Sequence, residues 1–288
     1  MLWRCIFRMK RDFIGKAIFL VVFVVILVVS VYGFSGHLMN EKSTEPTESK
    51  STTIAQEKKT EKETTTEPTT VDSVDKPKST DKLVCFTFDD GPYAPVTNKI
   101  LDTFEKYNGK ATFFVVGDRA ETYSDEIVRA SKLGCEIGTH TYSHVNLNTL
   151  SVPEMQNEIN KSCNAISKYS GKRVKILRPP EGAANETVKA NVDMPMVLWS
   201  VDSRDWDYRN ADKDYQSVMD NVFDGSIVLM HDLYPATADA IARIVPELAK
   251  QGYKFVTFSE LMELRGVDVE PGEKYFSATP QTPAEDSE

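Results

Sequence analysis

From residue 81 to residue 266, short apolar runs alternate with longer segments in which apolar residues recur at helical spacing. Each apolar run is only a few residues long, which predicts a buried β-strand. The predicted strands cover residues 83–88, 111–116, 135–138, 174–178, 196–201, 226–230 and 254–258. The periodic segments predict helices, with the clearest examples at Pro95–Tyr107, Pro153–Tyr169 and Thr237–Gln251, the last closed by Gly252.

This alternation of strands and helices predicts an α/β fold with a parallel sheet. The chain has 288 residues, of which 41% are hydrophobic, so it can form a sizeable core. Seven strands over about 185 residues suit either a closed barrel or an open doubly wound sheet. We favour the closed (β/α) barrel.

The first 36 residues predict a membrane anchor. Residues 1–16 form a basic segment, and residues 17–36 carry no charge and are long enough to span a bilayer. The basic side is expected to stay in the cytoplasm, which places the rest of the chain outside the cell membrane. A cleaved signal peptide is the alternative, but the small residues near Gly33 and Ser35 form only a poor cleavage site.

Two further segments predict little regular structure. Residues 37–80 contain eleven threonines with interleaved Glu and Lys but no aromatic residue, which is typical of a disordered stalk. Residues 267–288 are polar and proline-rich and predict a flexible tail. The domain boundaries expected for the folded part are therefore residues 81 and 266.

Charge and cysteine content exclude some classes of protein. The net charge is −9 although the N-terminus is basic, so the main domain is acidic and a nucleic-acid partner is not expected. Cys85, Cys135 and Cys163 form no CxxC pair. We expect three buried free thiols. The alternative of one disulfide and one remaining free thiol stays open.

Polar side chains gather where the predicted strands end. Asp89 and Asp90 follow the first strand, and the Gly-Pro turn after them allows two adjacent carboxylates to share a site. His140 and His144 follow the third strand, and two histidines four residues apart can bind one metal ion together with a carboxylate. Each cluster alone is also typical of an ordinary surface turn or helix cap.

Three later strands end in the same way. Arg178 closes the fourth predicted strand, Asp205 and Trp206 follow the fifth, and His231 follows the sixth. Parallel α/β folds bind ligands at the carboxyl edge of the sheet. Five polar clusters at that edge therefore predict one active site.

These clusters belong to five motifs that occur in the order TFDDGP (87–92), HTYSH (140–144), RPPEG (178–182), DSRDW (202–206) and LMH (229–231). The motifs resemble those of the polysaccharide deacetylases, the NodB-homology group of carbohydrate esterase family 4, over residues 82–265. The layout is most similar to that of membrane-anchored peptidoglycan N-acetylglucosamine deacetylases. The resemblance implies a distorted barrel and metal-dependent removal of acetyl groups from N-acetylglucosamine polymers.

The resemblance also implies a set of metal ligands, which match Asp90, His140 and His144. Zinc is the ion expected, while cobalt, nickel and iron also suit these ligands. An ion of this kind would polarise the amide carbonyl and activate water.

The catalytic roles implied by the resemblance fall on four residues. Asp89 matches the general base, and Arg178 matches the residue that orients it and keeps it ionised. His231 matches the general acid that protonates the leaving nitrogen. Asp205 matches the carboxylate that holds this imidazole.

The resemblance further implies three substrate contacts. Trp206 and Leu229 match the apolar walls around the acetyl methyl group. The backbone N–H at Glu181 is expected to help hold the oxyanion. The family usually has an aromatic residue at this position, so a different sugar site is expected. An intact Asp89-Asp90 pair argues against the branch that acts on muramic acid.

The sequence thus favours an extracellular, membrane-anchored N-deacetylase of peptidoglycan that acts as a monomer. O-acetyl esterase activity on xylan and deacetylation of chitin oligosaccharides are the alternatives within the family. A non-haem iron oxygenase also uses two histidines and one carboxylate, but it would leave Asp89, Arg178 and the Asp205–His231 pair without a function. An anchored glycan-binding module with an inactive site is the non-enzymatic alternative.

Overall fold

The computed structural model describes residues 76–280. The predicted basic segment, the predicted anchor at residues 17–36, most of the predicted stalk and residues 281–288 lie outside the described residues. Within residues 76–280, no helix combines the length and the apolar character that crossing a membrane requires.

The elements alternate along the described chain as the pattern predicts. The strands are β1 (Lys82–Asp89), β2 (Thr112–Val115), β3 (Glu136–Thr139), β4 (Met196–Val197), β5 (Val201–Asp202), β6 (Ser226–His231), β7 (Tyr253–Phe255) and β8 (Lys274–Tyr275). The helices are α1 (Ala94–Lys106), α2 (Ser124–Lys132), α3 (Val152–Ser170), α4 (Glu186–Asn191), α5 (Asp205–Tyr208), α6 (Ala211–Asn221), α7 (Pro235–Lys250) and α8 (Phe258–Leu264). The three helices predicted most clearly correspond to α1, α3 and α7.

The strands close into a barrel. Parallel pairing runs in the order β3-β2-β1-β6-β5, and β7 also pairs with β1. Leu177 then links the two edges, because it pairs with Thr139 of β3 on one side and with Met196 of β4 on the other. Since β4 and β5 are consecutive and β5 pairs with β6, the ring is complete. The fold is therefore the distorted (β/α) barrel and not the open sheet.

Two predicted strands depart most from the expectation. The run 174–178 forms only the pairing at Leu177, and Pro179 and Pro180 end the ladder because proline has no N–H to donate. The run 196–201 is split into β4 and β5. Between these strands the carbonyl oxygen of Leu198 accepts a hydrogen bond from the Arg178 side chain instead of a strand neighbour.

The predicted flexible tail is wrong for its first part. β8 pairs in parallel with β4, and Ala278 is buried with its N–H bonded to the carbonyl oxygen of Gly225. Gly225 has a φ of 93°, and a Cβ there would lie 2.1 Å from the carbonyl oxygen of Ala278. A polar, proline-rich segment can still pair through its backbone, so its composition does not predict this contact.

The first strand is buried on both faces, as parallel barrel strands are. Val84, Phe86 and Phe88 pack in the cluster that contains residues of α1 and α7, while Leu83 and Cys85 belong to a second cluster. Side chains alternate along a strand, so Thr87 and Asp89 continue the row of Leu83 and Cys85. Cys85 and Cys135 are buried free thiols, as expected, whereas Cys163 is a free thiol that is only half-buried.

Candidate active site

The end of β1 presents two adjacent carboxylates at one site. Asp89 ends the inner row of the strand and is 3% exposed. Asp90 has a φ of 70°, which breaks the strand alternation and turns the chain. Gly91 allows this turn to pack tightly, because a Cβ there would lie 2.0 Å from Oδ1 of the buried Asp232.

Arg178 lies behind Asp89 and is fully buried. Its Nη1 donates hydrogen bonds to Oδ1 of Asp89 at 2.8 Å and to the hydroxyl of Thr87 at 2.7 Å. Its Nε and Nη2 donate to the carbonyl oxygens of Val197 and Leu198, both at 2.8 Å. Four hydrogen bonds on one planar guanidinium fix the orientation of the Asp89 carboxylate.

Asp90, His140 and His144 form a three-residue cluster whose ligand atoms all lie within 4.8 Å of one another. Nε2 of His140 lies 3.5 Å from Oδ1 of Asp90, and Nε2 of His144 lies 3.2 Å from the same oxygen. Nδ1 of His140 lies 2.7 Å from the carbonyl oxygen of Arg178, which directs the Nε2 of this ring into the cluster.

The charges of this cluster depend on one another. Burial alone would raise the pKa of Asp90, but the imidazoles of His144 and His140 outweigh it and lower the pKa to about 2. The Asp90 carboxylate in turn raises the pKa of His144. Burial lowers the pKa of His140 despite the nearby carboxylates, which favours the neutral imidazole that a metal ligand must present.

On the other side of the site, Asp205 holds His231 at two points. Oδ1 of Asp205 lies 2.7 Å from Nδ1 of the imidazole, and Oδ2 accepts the backbone N–H of His231 at 2.7 Å. The hydroxyl of Thr237 also donates to Oδ2. Burial lowers the pKa of His231, but the hydrogen bond and charge of Asp205 more than offset it and raise the pKa to about 9. The imidazole is therefore protonated at neutral pH and can donate a proton.

These groups face a cleft of about 390 Å³ at the carboxyl end of the barrel. Eight of the ten residues predicted from the sequence line it: Asp89, Asp90, His140, His144, Glu181, Trp206, Leu229 and His231. The other two, Arg178 and Asp205, lie behind Asp89 and His231. All ten residues are therefore brought together.

Sequence reasoning missed some residues of the cleft. Trp199 and Tyr234 line it, and the rings of Tyr234 and His231 have centroids 5.9 Å apart. Tyr234 follows the same strand end as His231, so the strand-end argument could have identified it. Trp199 lies between β4 and β5, where the predicted strand was expected to continue, and no sequence signal indicated that it faces the cleft.

Comparison with known proteins gives the context of this site. Residues 76–197 match the family described as polysaccharide deacetylase. Over 184 residues the chain is 42% identical to the peptidoglycan-N-acetylmuramic acid deacetylase PdaC of Bacillus subtilis (strain 168), which covers 64% of this chain and 39% of PdaC. Over 213 residues it is 38% identical to the peptidoglycan-N-acetylglucosamine deacetylase PgdA of Listeria monocytogenes, which covers 74% and 45%. The chain thus spans less than half the length of both relatives.

Solved structures match over the same region. The structure of PdaC from Bacillus subtilis has a TM-score of 0.65 and 41% identity, and the match covers 66% of this chain and 94% of that one. A family 4 acetyl xylan esterase from Clostridium thermocellum, solved in complex with a cobalt ion, has a TM-score of 0.65 and 37% identity, with 68% and 98% covered. Both share the fold of this chain.

Proposed function

Because this chain belongs to the polysaccharide deacetylase family, we propose that it is a metal-dependent hydrolase that removes N-acetyl groups from N-acetylglucosamine in peptidoglycan. One observation supports this proposal above the others. The Asp90, His140 and His144 cluster and the protonated His231 line the same cleft. Amide hydrolysis needs both an activated water molecule and a proton for the leaving amine.

The residues of the cluster fit a divalent ion. Oδ1 of Asp90 is buried without a hydrogen-bond partner among the described residues, although two imidazole Nε2 atoms lie close to it. Two histidines and one carboxylate form a ligand set that leaves positions open for water and substrate. When bound there, a divalent ion supplies polarisation of the acetyl carbonyl and activation of water. We propose zinc, and cobalt, nickel or iron would also suit these ligands.

Asp89 is the proposed general base. Arg178 occupies one of its oxygens, and Oδ2 lies 3.7 Å from Nε2 of His140, next to the proposed ligands. A carboxylate held in this way can take a proton from a water molecule without first reorienting.

His231 is the proposed general acid. Its Nδ1 is engaged by Asp205, so Nε2 is the nitrogen that would give a proton to the departing sugar amine. Leu229 and Trp206 are the proposed walls around the acetyl methyl group, and the backbone N–H of Glu181 is the proposed oxyanion donor. A site with apolar walls excludes water and strengthens the interactions of the developing charge.

Two substitutions in the full-length chain separate the proposed base from the proposed ligands. Asp89→Asn is expected to reduce acetate release from peptidoglycan by at least about 10²-fold while zinc content is kept. His140→Ala is expected to lose both activity and zinc, because it removes a ligand. Zinc content by elemental analysis and acetate release by enzymatic assay measure the two effects. Near-normal turnover of Asp89→Asn would show that the base is wrongly assigned.

A second candidate substrate is the N-acetylmuramic acid unit of peptidoglycan. It is supported by the 42% identity to PdaC, which is named for that activity, even though the Asp89-Asp90 pair argues against it. Acetate release from peptidoglycan, chitin oligomers and acetylated xylan, followed by identification of the deacetylated sugar, separates both candidates from the esterase alternative. Glycan binding without acetate release at any zinc loading would favour the non-enzymatic module.

We also propose that residues 17–36 anchor the protein in the cell membrane, with the catalytic domain outside. The uncharged apolar run and the basic residues before it support this location. Fractionation of cells that express the full chain, combined with protease accessibility of the catalytic domain, would test it. Recovery of the chain in the soluble fraction would contradict an uncleaved anchor.

A further inference from the structure

Two of the carboxylates in the cleft form no ion pair with a lysine or arginine of the described residues. Four carboxylates line the cleft, but no lysine or arginine of residues 76–280 does. Asp89 is paired with Arg178, and Asp90 lies between two histidines. The other two, Glu181 and Asp202, form no ion pair with a lysine or arginine among the described residues, so no such side chain offsets their negative charge.

The Glu181 carboxylate is held in place by a neutral group. Its Oε2 accepts a hydrogen bond of 2.8 Å from Nδ2 of Asn146. The orientation of Asn146 is itself fixed, because its Oδ1 accepts the backbone N–H of Asn148 at 3.0 Å. Glu181 has a φ of 60°, in the tight turn that follows Arg178. The carboxylate is therefore oriented by one neutral hydrogen bond and exposed at the edge of the cleft.

The other carboxylate, that of Asp202, is hydrogen-bonded within its own turn. Oδ1 of Asp202 accepts the backbone N–H of Arg204 at 2.8 Å, within a local turn. Each carboxylate keeps one oxygen, Oδ2 of Asp202 and Oε1 of Glu181, that has no partner among the described hydrogen bonds and can accept one from a ligand. Glu181 is exposed, whereas Asp202 is half-buried. Glu181 is thus the better placed of the two to contact substrate.

A fixed carboxylate distinguishes sugars by charge. It accepts strong hydrogen bonds from the hydroxyl groups of a neutral sugar and attracts the ammonium group of a deacetylated one. It repels a sugar that carries a carboxylate, such as N-acetylmuramic acid with a free lactyl group, and this repulsion acts through space even where no contact is made.

We propose that Glu181 is a specificity-determining residue that directs the cleft to neutral or amine-bearing glucosamine units and disfavours carboxylate-bearing sugars beside the reacting N-acetyl group. This inference rests on the proposed deacetylase function and narrows its substrate class. It also favours the N-acetylglucosamine candidate over the muramic acid candidate.

The test compares the zinc-loaded full chain with Glu181→Gln, which keeps the size and the hydrogen-bonding ability of the side chain but removes its charge. Three substrates are used: chitin oligomers, partly deacetylated chitin oligomers, and peptidoglycan glycan strands whose peptides have been removed to free the lactyl carboxylates. The value of kcat/KM for acetate release is measured for each. Glu263→Gln, on the exposed face of α8, is the control that changes net charge equally.

Glu181→Gln is expected to raise the ratio of kcat/KM on the carboxylate-bearing strands to that on chitin oligomers by about fivefold to tenfold. The preference for amine-bearing oligomers should fall with the same substitution. Both changes should shrink when the ionic strength rises from about 0.02 M to about 0.5 M, because salt screens exposed charges. The control should leave both ratios unchanged.

Ratios that stay within about twofold of wild type at low salt would overturn the proposal. The failure of the proposed function would look different, since the wild-type chain would then release no acetate from any substrate. In that event calorimetric titration of the same three glycans into wild type and Glu181→Gln measures the charge preference directly. Equal binding of neutral and carboxylate-bearing glycans by wild type would overturn the inference there too.

Discussion

The cleft has a buried floor and an exposed rim, and the two differ in how they are held. The floor consists of Asp89, His140 and Arg178, which are 3%, 2% and 0% exposed. The rim includes Trp206, which is 47% exposed, and Glu181, whose carboxylate accepts one side-chain hydrogen bond from the described residues, from Asn146. The floor is therefore set by the protein, whereas the rim is open to solvent and ligand.

Under the proposed function, the floor carries out the reaction and the rim selects the substrate. The floor groups bond to carbonyl oxygens and hydroxyls of several barrel strands, so their positions are established before substrate binds. Preorganised charges of this kind stabilise a transition state without reorganisation. Rim residues have few protein partners, so they can differ between relatives without disturbing the floor. One such difference is Glu181, at a position where the family usually has an aromatic residue.

The largest effect is expected from Arg178→Met in the floor. This change leaves the Asp89 carboxylate buried without its partner, so the free energy of unfolding should fall by about 3–5 kcal/mol, and acetate release should fall by at least about 10³-fold. Denaturant unfolding and the acetate assay measure the two effects. The double variant with Asp89→Asn should recover part of the stability but none of the activity. Wild-type stability of Arg178→Met would contradict the view that the floor depends on this pair.

An intermediate effect is expected from Asp205→Asn, which changes the charge beside His231. The raised pKa of about 9 means that His231 keeps its proton below this pH and loses it above. Removing the Asp205 charge lowers that pKa towards 6.5, so the alkaline fall of kcat/KM should move to lower pH by at least about one unit. Asp207→Asn, which loses an exposed ion pair with Arg204, should leave the profile unchanged. An unmoved alkaline limb in Asp205→Asn would exclude His231 as the proton donor.

The smallest effect is expected from Trp206→Ala at the rim. An exposed side chain contributes little to folding, so the free energy of unfolding should stay within about 0.5 kcal/mol of wild type. KM for glycan substrates should rise severalfold while kcat changes less, since the substitution removes a binding surface. Phe223→Ala is the matched control, because Phe223 is an exposed aromatic residue that precedes β6, at the end of that strand away from His231. A large loss of kcat with unchanged KM would show that Trp206 acts in the reaction, as the floor residues are proposed to do, and not in substrate binding.

Much of the site could be predicted because strand ends are local features. Apolar runs locate the strands, and the polar residues that follow each run must lie at one edge of a parallel sheet. Asp89, His140 and His231 were found in this way. Tyr234 was missed although it follows the same strand end as His231, because it lies outside the five motifs.

Other features depend on the path of the chain in space. Leu177 is the one residue of its run that pairs, with Thr139 on one side and Met196 on the other, and the apolar run around it does not indicate how many of its residues pair. β8 lies in a segment whose composition predicts a flexible tail, yet its backbone pairs with β4 and Ala278 packs on Gly225. Backbone pairing needs no particular side chains, so composition does not report it.

The sequence by itself determined which chemical groups stand at the mouth of the barrel, because strand periodicity and turn residues are encoded locally. Only the tertiary structure decided how they pair. Arg178 reaches Asp89 across 89 residues of sequence, and Asp205 meets both the ring and the backbone of His231 across 26. These side-chain contacts follow from the closure of the ring of strands. That closure depends on pairing between remote segments and not on any local pattern.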